Sequence, residues 1–303
     1  MSGLFALFFN NLLPILLVAL IGFILAKVLK INPRPVSQVI FYIFSPVLVF
    51  KLITQSQLSN QDILRTLIFT MLLMVCVGAL TWLLGSIFHF DRQTLAAVLI
   101  TAMFMNSGNY GLPLTSFAFG ETALAYASVF FVVNAMFTNT LGIVIASSGT
   151  MSISAAIKGL LKFPAIYALA LGILFLQFSW KLPSGVDRTV TLLSNAAIPS
   201  MLVLLGMQLV NIKMDGHVRP LIVTSGMRLL IAPLIAFGLS RLFGMTGASY
   251  QAVVIEAAMP VAVTTTILAT EFDAEPTFVT TAVLVTTLLS PLTLTPLLAF
   301  LGA

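Results

Sequence analysis

Residues 104–114 read FMNSGNYGLPL, in a chain where almost every neighbour is Leu, Ile, Val, Ala or Phe. Two asparagines, a serine, two glycines and a proline would make an ordinary loop on a soluble protein. Here the apolar run TLAAVLITAMFM (94–105) leads straight into them. At 1.5 Å per helical residue, Asn106 lies about 20 Å along a span that begins near residue 93. The stretch therefore breaks a helix deep within an apolar segment.

The composition decides what surrounds that segment. The 303 residues are 59% hydrophobic and 8% charged, with a mean hydropathy of +1.11. A soluble domain carries about 25% charged residues, so lipid must cover much of this surface. Apolar segments of about 20 residues match a hydrocarbon core about 30 Å thick. The formal net charge of +5 comes from basic residues scattered singly, which excludes a nucleic-acid partner. The single cysteine, Cys76, lies in an apolar run and offers neither a disulfide nor a metal cluster. The first span shows no basic leader and no small-residue cleavage site, so it reads as retained.

Charge, Pro, Gly and Asn clusters punctuate the chain into spans near 4–29, 36–56, 63–88, 93–119, 122–147, 154–178, 188–211, 217–243, 247–271 and 275–301. The predicted fold is an all-α integral membrane protein with ten transmembrane helices. Loops after the first, third, fifth and seventh spans carry Lys27, Lys30, Arg34, Arg92, Lys158, Lys162, Lys213 and Arg219. The opposite side carries Lys51, Arg65, Lys181, Arg188 and Arg241. The larger set predicts the cytoplasmic side, which leaves both termini outside.

The two halves of the chain resemble each other. LPILLVALIGFIL (13–25) aligns with FPAIYALALGILF (163–175), setting Pro14 over Pro164 and Gly22 over Gly172. IFSPVLVFKLI (43–53) aligns with NAAIPSMLVLLGMQL (195–209), setting Pro46 over Pro199, and Asp62 falls over Asp215. Each half holds five predicted spans, an odd number, so the second half enters the membrane from the opposite side. Such inverted repeats are found in secondary transporters. The same register sets Asn106-Ser107 over Met259-Pro260, so a helix in each half is interrupted near its middle.

Broken backbone at membrane depth survives only where protein buries it or a watery cavity receives it. Two breaks near the midplane suggest two helices crossing at their unwound points. Half-helix N-termini there present partial positive charge and C-termini partial negative charge, an arrangement suited to an anion beside a cation. Glu256 lies one turn before Pro260 and Arg228 about eleven residues into the eighth span. Charges at such depth usually face a cavity or a partner. Glu256 reads as a cation or proton coupling site, or as a structural pair with Arg228, and Arg228 reads as that charge partner or as glue between helices. Asn134, Thr138 and Asn139 are weaker candidates for the same cavity, because Asn and Thr commonly bond between helices. EFDAEP (271–276) reads as a solvated turn, Pro233, Pro291 and Pro296 as kinks, and the methionines as core filling. No nucleotide loop, nucleophile triad or metal-ligand spacing appears, so no enzyme and no cofactor is expected.

NSGNYGLPLTSFAFGE (106–121) resembles the fourth-helix crossover of the auxin efflux carrier family, which includes plant PIN carriers and bacterial malate and malonate permeases. Asn106, Gly111, Leu112, Pro113 and Phe119-Gly120 meet its pattern. AAMPVAVTTTILATEFDAEP (257–276), SGMRLLIAP (225–233) and NLLPILLVALIGF (11–23) resemble the second crossover, the eighth helix and the first. The similarity spans essentially the whole chain. It implies a 5+5 inverted repeat with crossed, broken fourth and ninth helices, like sodium–proton antiporters and bile-acid symporters. Scaffold segments 1–56 and 151–212, through which a homodimer would form, would carry a transport domain of 57–150 and 213–303 moving as an elevator. It also implies an organic anion, typically a carboxylate, beside Asn106 and its neighbours Ser107, Gly108, Asn109 and Tyr110, with Pro260 and Val261 opposite. The likeness to bacterial permeases places the chain in the bacterial inner membrane. Glu256-x-x-Met259 is similar to the ninth-helix sodium site of bile-acid symporters, which favours a bound sodium ion there, with Asn134 as a further cation-coupling residue.

Two departures count against auxin itself. Met105 stands where PIN carriers usually have proline, and their long loop between the fifth and sixth helices is missing. The expected function is secondary transport of a small organic anion with Glu256 holding the coupling cation, sodium before proton. Uncoupled anion transport stays open. Cation–proton antiport calls for a pair of midplane acids, of which only Glu256 is present. A membrane sensor or an intramembrane hydrolase would need a soluble domain or a buried dyad, and neither is visible.

Overall fold

The computed structural model describes residues 2–148, 163–210 and 217–303. Lys158, Lys162, Lys213, Asp215 and the start of the span predicted at 154–178 lie outside those residues. Among the described residues the chain is all helical, and its one extended pairing is an isolated antiparallel bridge between Met105 and Val261.

Six of the long apolar helices stand alone: α1 (Gly3–Leu29), α2 (Pro33–Gln55), α3 (Asn60–Ile87), α8 (Ser184–Gln208), α9 (Val218–Leu242) and α12 (Pro276–Leu301). A seventh stretch, Ser107–Ala146, is twice the length a membrane requires. Gly120, at φ 74 and ψ −168, divides it, giving α5 (107–119) and α6 (121–138), and a turn at 139–140 then sets off a short helix, Leu141–Ala146. A side chain would be strained at that φ. Four shorter helices complete the set: α4 (Arg92–Met103), α7 (Pro164–Gln177), α10 (Gly247–Ala257) and α11 (Thr264–Phe272). Thus the spans predicted at 93–119 and 247–271 are each two half-helices, α4 with α5 and α10 with α11.

Four prolines leave the same mark on their helices. Pro14, Pro46, Pro113 and Pro233 each follow a five-residue π-helical turn, at Phe8–Leu12, Ile40–Phe44, Ser107–Gly111 and Met227–Ile231. In each case the residue four before the proline is the middle of the π turn. A proline ring clashes with that carbonyl and supplies no N–H, and widening the turn by one residue relieves both problems.

Apolar residues on α1 such as Leu17, Ile21 and Val28 stay exposed, as expected of a face turned to hydrocarbon. Inside, α1 lies against α8 at backbone contact. A Cβ on Gly206 would sit 1.7 Å from the carbonyl oxygen of Ala19, and one on Gly22 would sit 2.1 Å from that of Val203. Small residues permit such approach in membranes, where packing rather than burial from water drives association. Gly172 of α7 meets α2 in a related way, 3.0 Å from Ile53. These four helices pack on one another, α1 with α8 and α2 with α7, while α10 packs along the stretch Leu112–Thr138.

Candidate functional site

The breaks meet at the Met105–Val261 bridge. The Asn106 amide donates to the Pro260 carbonyl at 2.9 Å, and the Ala262 amide to the Phe104 carbonyl at 3.0 Å. Unwound chain from one half-helix pair thus satisfies unwound chain from the other. Neighbouring side chains supply the remaining partners. The Val261 amide donates to Thr286 Oγ1 at 3.1 Å, and Asn134 Nδ2 donates to the Met105 carbonyl at 2.8 Å and to Ser107 Oγ at 2.8 Å. Every one of these groups is buried, which is the condition for irregular backbone at this depth.

Arg228 closes the two helix ends. It lies on the π turn of α9 and is fully buried. Its Nη1 donates to the Ala102 carbonyl at 2.6 Å, with Met103 at 3.4 Å, and its Nη2 to the Ala257 carbonyl at 2.5 Å. Those carbonyls end α4 and α10, where helix dipoles place negative partial charge. One guanidinium therefore caps both C-termini, and its hydrogen-bond partners are backbone rather than Glu256.

The opposite ends of the half-helices face a cavity. An inner space of about 100 Å³ is lined by Asn106, Ser107, Gly108 and Asn109 at the start of α5, by Ala262 and Thr264 at the start of α11, and by Asn134 and Thr138 of α6 with Asn139 just after it. Ser37 and Phe41 of α2, Phe163 just before α7 and Gln208 at the end of α8 line it as well. Among the described residues, no charged side chain lines this inner space. It adjoins a vestibule of about 720 Å³ that shares Ser37, Phe41, Thr138, Asn139, Gln208 and Thr264 and reaches Arg34 and Glu271. Asn106 is 5% exposed, and its Nδ2 is buried without a hydrogen-bond partner. Asn134 Oδ1 is in the same condition.

The sequence candidates divide into three places. Asn106, Ser107, Gly108 and Asn109 line the cavity together with Asn134. Tyr110 turns away from it, accepting a hydrogen bond from Ser290 Oγ at 3.2 Å, while Pro260 and Val261 serve the bridge. Glu256 lies apart, with its carboxyl pressed against α5. Thr115 Oγ1 donates to Oε1 at 3.1 Å, Oε2 has no partner, and a Cβ on Gly111 would fall 2.1 Å from Oε2. Met259 follows in the break, its amide donating to the Glu256 carbonyl at 3.2 Å. Asn134, a candidate for the cavity and for cation coupling, lines the cavity, and Glu256 is not among the residues that do.

Sequence reasoning passed over Gln208, whose Oε1 accepts from Asn109 Nδ2 at 3.3 Å and so joins α8 to the crossover. The signal was present as a lone amide closing the apolar run MLVLLGMQ (201–208).

Comparison with known proteins bears on what this arrangement does. The family model for membrane transport proteins matches residues 7–298. An uncharacterized transporter of Methanothermobacter thermautotrophicus is 29% identical over 288 residues, covering 93% of this chain and 94% of the relative. An uncharacterized transporter of Methanocaldococcus jannaschii is 28% identical over 294 residues, covering 92% and 94%.

Proposed function

The chain belongs to the membrane transport protein family, and on that premise we propose that it is a secondary transporter of a small organic anion, bound where the two broken helices cross. One observation carries the reading. The N-terminal turn of α5 borders a cavity free of charged lining side chains among the described residues, and beside it Asn106 holds an amide N–H with no partner. Helix N-termini favour anions, and a buried donor left unpaired costs about 1–3 kcal/mol. A carboxylate answers both.

Transport follows by movement of one body past the other. Residues 57–150 and 213–303 would carry the site as an elevator along a scaffold of 1–56 and 151–212, which also supports a homodimer. The cavity lies between those two sets of residues, and the Asn109–Gln208 bond joins them. A ten-helix, 5+5 inverted repeat fits the fold: Gly22 packs on α8 and Gly172 on α2, the pairings expected if the halves exchange places. With Arg34 and Arg92 on the cytoplasmic side, both termini face outward and the vestibule opens inward. In the coupled form of the mechanism a cation, sodium before proton, neutralises Glu256 and fastens α10 to α5. Uncoupled transport is the second reading, and Arg228 favours it, because its guanidinium already neutralises both helix C-termini.

Uptake of L-malate and malonate into proteoliposomes, with and without a sodium gradient, tests both readings. Asn106→Ala is expected to lower the apparent affinity about 10-fold or more, the worth of a hydrogen bond to a charged group. Wild-type affinity in that variant rejects the site. Sodium-driven uptake that survives Glu256→Gln unchanged rejects the coupling role.

A further inference from the structure

We infer that the anion this cavity takes carries a hydrogen-bond donor, a hydroxyl or an N–H, on the carbon next to its carboxylate. The inference rests on the transport reading above and narrows its substrate class. It comes from two amides that flank the same three residues of the crossover. Asn134 reaches over residues 105–107 from α6, its Nδ2 donating to the Met105 carbonyl and to Ser107 Oγ. A carbonyl can only accept, so the Met105 contact fixes which way the amide points. The nitrogen faces the crossover and Oδ1 is left as an acceptor. Asn134 is 4% exposed and lines the cavity, and Oδ1 has no partner.

Asn106 supplies the complement, with an unpartnered Nδ2 donor. The two amides do not satisfy each other, although both border the cavity. A simple carboxylate engages the donor but has no hydrogen to offer Oδ1. A 2-hydroxycarboxylate engages both: one carboxylate oxygen accepts from Asn106 Nδ2, and the hydroxyl donates to Asn134 Oδ1. Sites built around a buried acceptor reject analogues that lack the donor, because the acceptor is then left unpaired. At about 100 Å³ the inner cavity admits only the head of a ligand, so the selection acts on that head. The remainder extends past Phe41 into the vestibule, where size is less restricted.

The test uses purified full-length protein and substrate pairs that differ by one hydroxyl, L-lactate with propionate and L-malate with succinate. Thermal stabilisation is titrated with each, in sodium chloride and in choline chloride. The hydroxy acid of each pair is expected to reach half-maximal stabilisation at a concentration at least about 5-fold lower, the lower end of what one hydrogen bond to an unpaired buried group contributes. In Asn134→Ala the preference is expected to shrink to less than about 2-fold. Equal stabilisation by both members in the wild type overturns the inference and leaves anion transport standing. Stabilisation by none of the four overturns both. A shift that needs sodium and ignores the hydroxyl overturns the inference and leaves coupled anion transport standing. A preference undiminished in Asn134→Ala removes Asn134 from the role. Should that variant not fold, the wild-type pairs still decide.

Discussion

Two places in this molecule bring backbone onto backbone, and they do so by opposite means. Where α1 meets α8, both helices stay intact and the side chains are removed. Gly206 leaves 1.7 Å between a notional Cβ and the Ala19 carbonyl oxygen, so nothing larger than hydrogen fits. Where α4–α5 meets α10–α11, the side chains remain and the helices are removed. An intact helix satisfies its own backbone and asks nothing of its neighbours in lipid. A broken one must be satisfied from outside, here by the opposing strand, Thr286, Asn134 and Arg228. Of the groups still without partners there, Arg228 Nε among them, Asn106 Nδ2 and Asn134 Oδ1 belong to residues that line the cavity, and the proposed ligand would engage those two. The tight joint therefore holds shape, and the loose one holds the proposed site.

The sharpest way to break this contrast is at the tight joint. Gly206→Ala has no side chain to push aside, only the Ala19 backbone, so folded protein is expected to be largely lost in detergent size-exclusion profiles, with the α1–α8 pair unable to close. Wild-type yield and thermal stability would show that the helices separate at little cost. Arg228→Met comes next. It leaves the carbonyls of Ala102 and Ala257 unpaired inside the protein, and losing hydrogen bonds from a charged group costs about 1.5–3 kcal/mol each. A large fall in the midpoint of thermal unfolding is expected, with partial rescue by Arg228→Lys. Full stability in Arg228→Met would mean that other groups satisfy those ends. The smallest effect falls on the Glu256 contact. Gly111→Ala crowds its carboxyl and is expected to cost about 1–3 kcal/mol, as overpacking does. Combining it with Glu256→Ala should return part of that loss, whereas strict additivity of the two changes would show that they do not touch.

Much of the architecture was legible in order and position. The break at FMNSGNYGLPL and its partner around Pro260 lie where the sequence predicts interrupted helices. The site was legible only in part. Asn106 through Asn109 line the cavity as expected, yet Tyr110, next along the same turn, points at Ser290. Asn134 and Glu256, both candidates for cation coupling, have different surroundings, one at the cavity and one against Gly111. Gln208 was hidden because a single amide at a helix end is unremarkable until the opposing element is known.

The sequence by itself determined that this chain lives in a membrane, since 8% charged residues cannot keep a globule of this size wet. It also marked the two broken helices by their Pro, Gly and Asn clusters, whereas α8 and α12 run on through Pro199, Pro291 and Pro296. Only the tertiary structure decided which groups meet at the breaks. That Arg228 caps two helices at once, that Glu256 turns to α5, and that Asn134 leaves one acceptor open beside Asn106 all depend on how separate helices rotate and slide against each other. Local periodicity sets a side chain's position on its own helix. It carries no information about the neighbour that side chain will find.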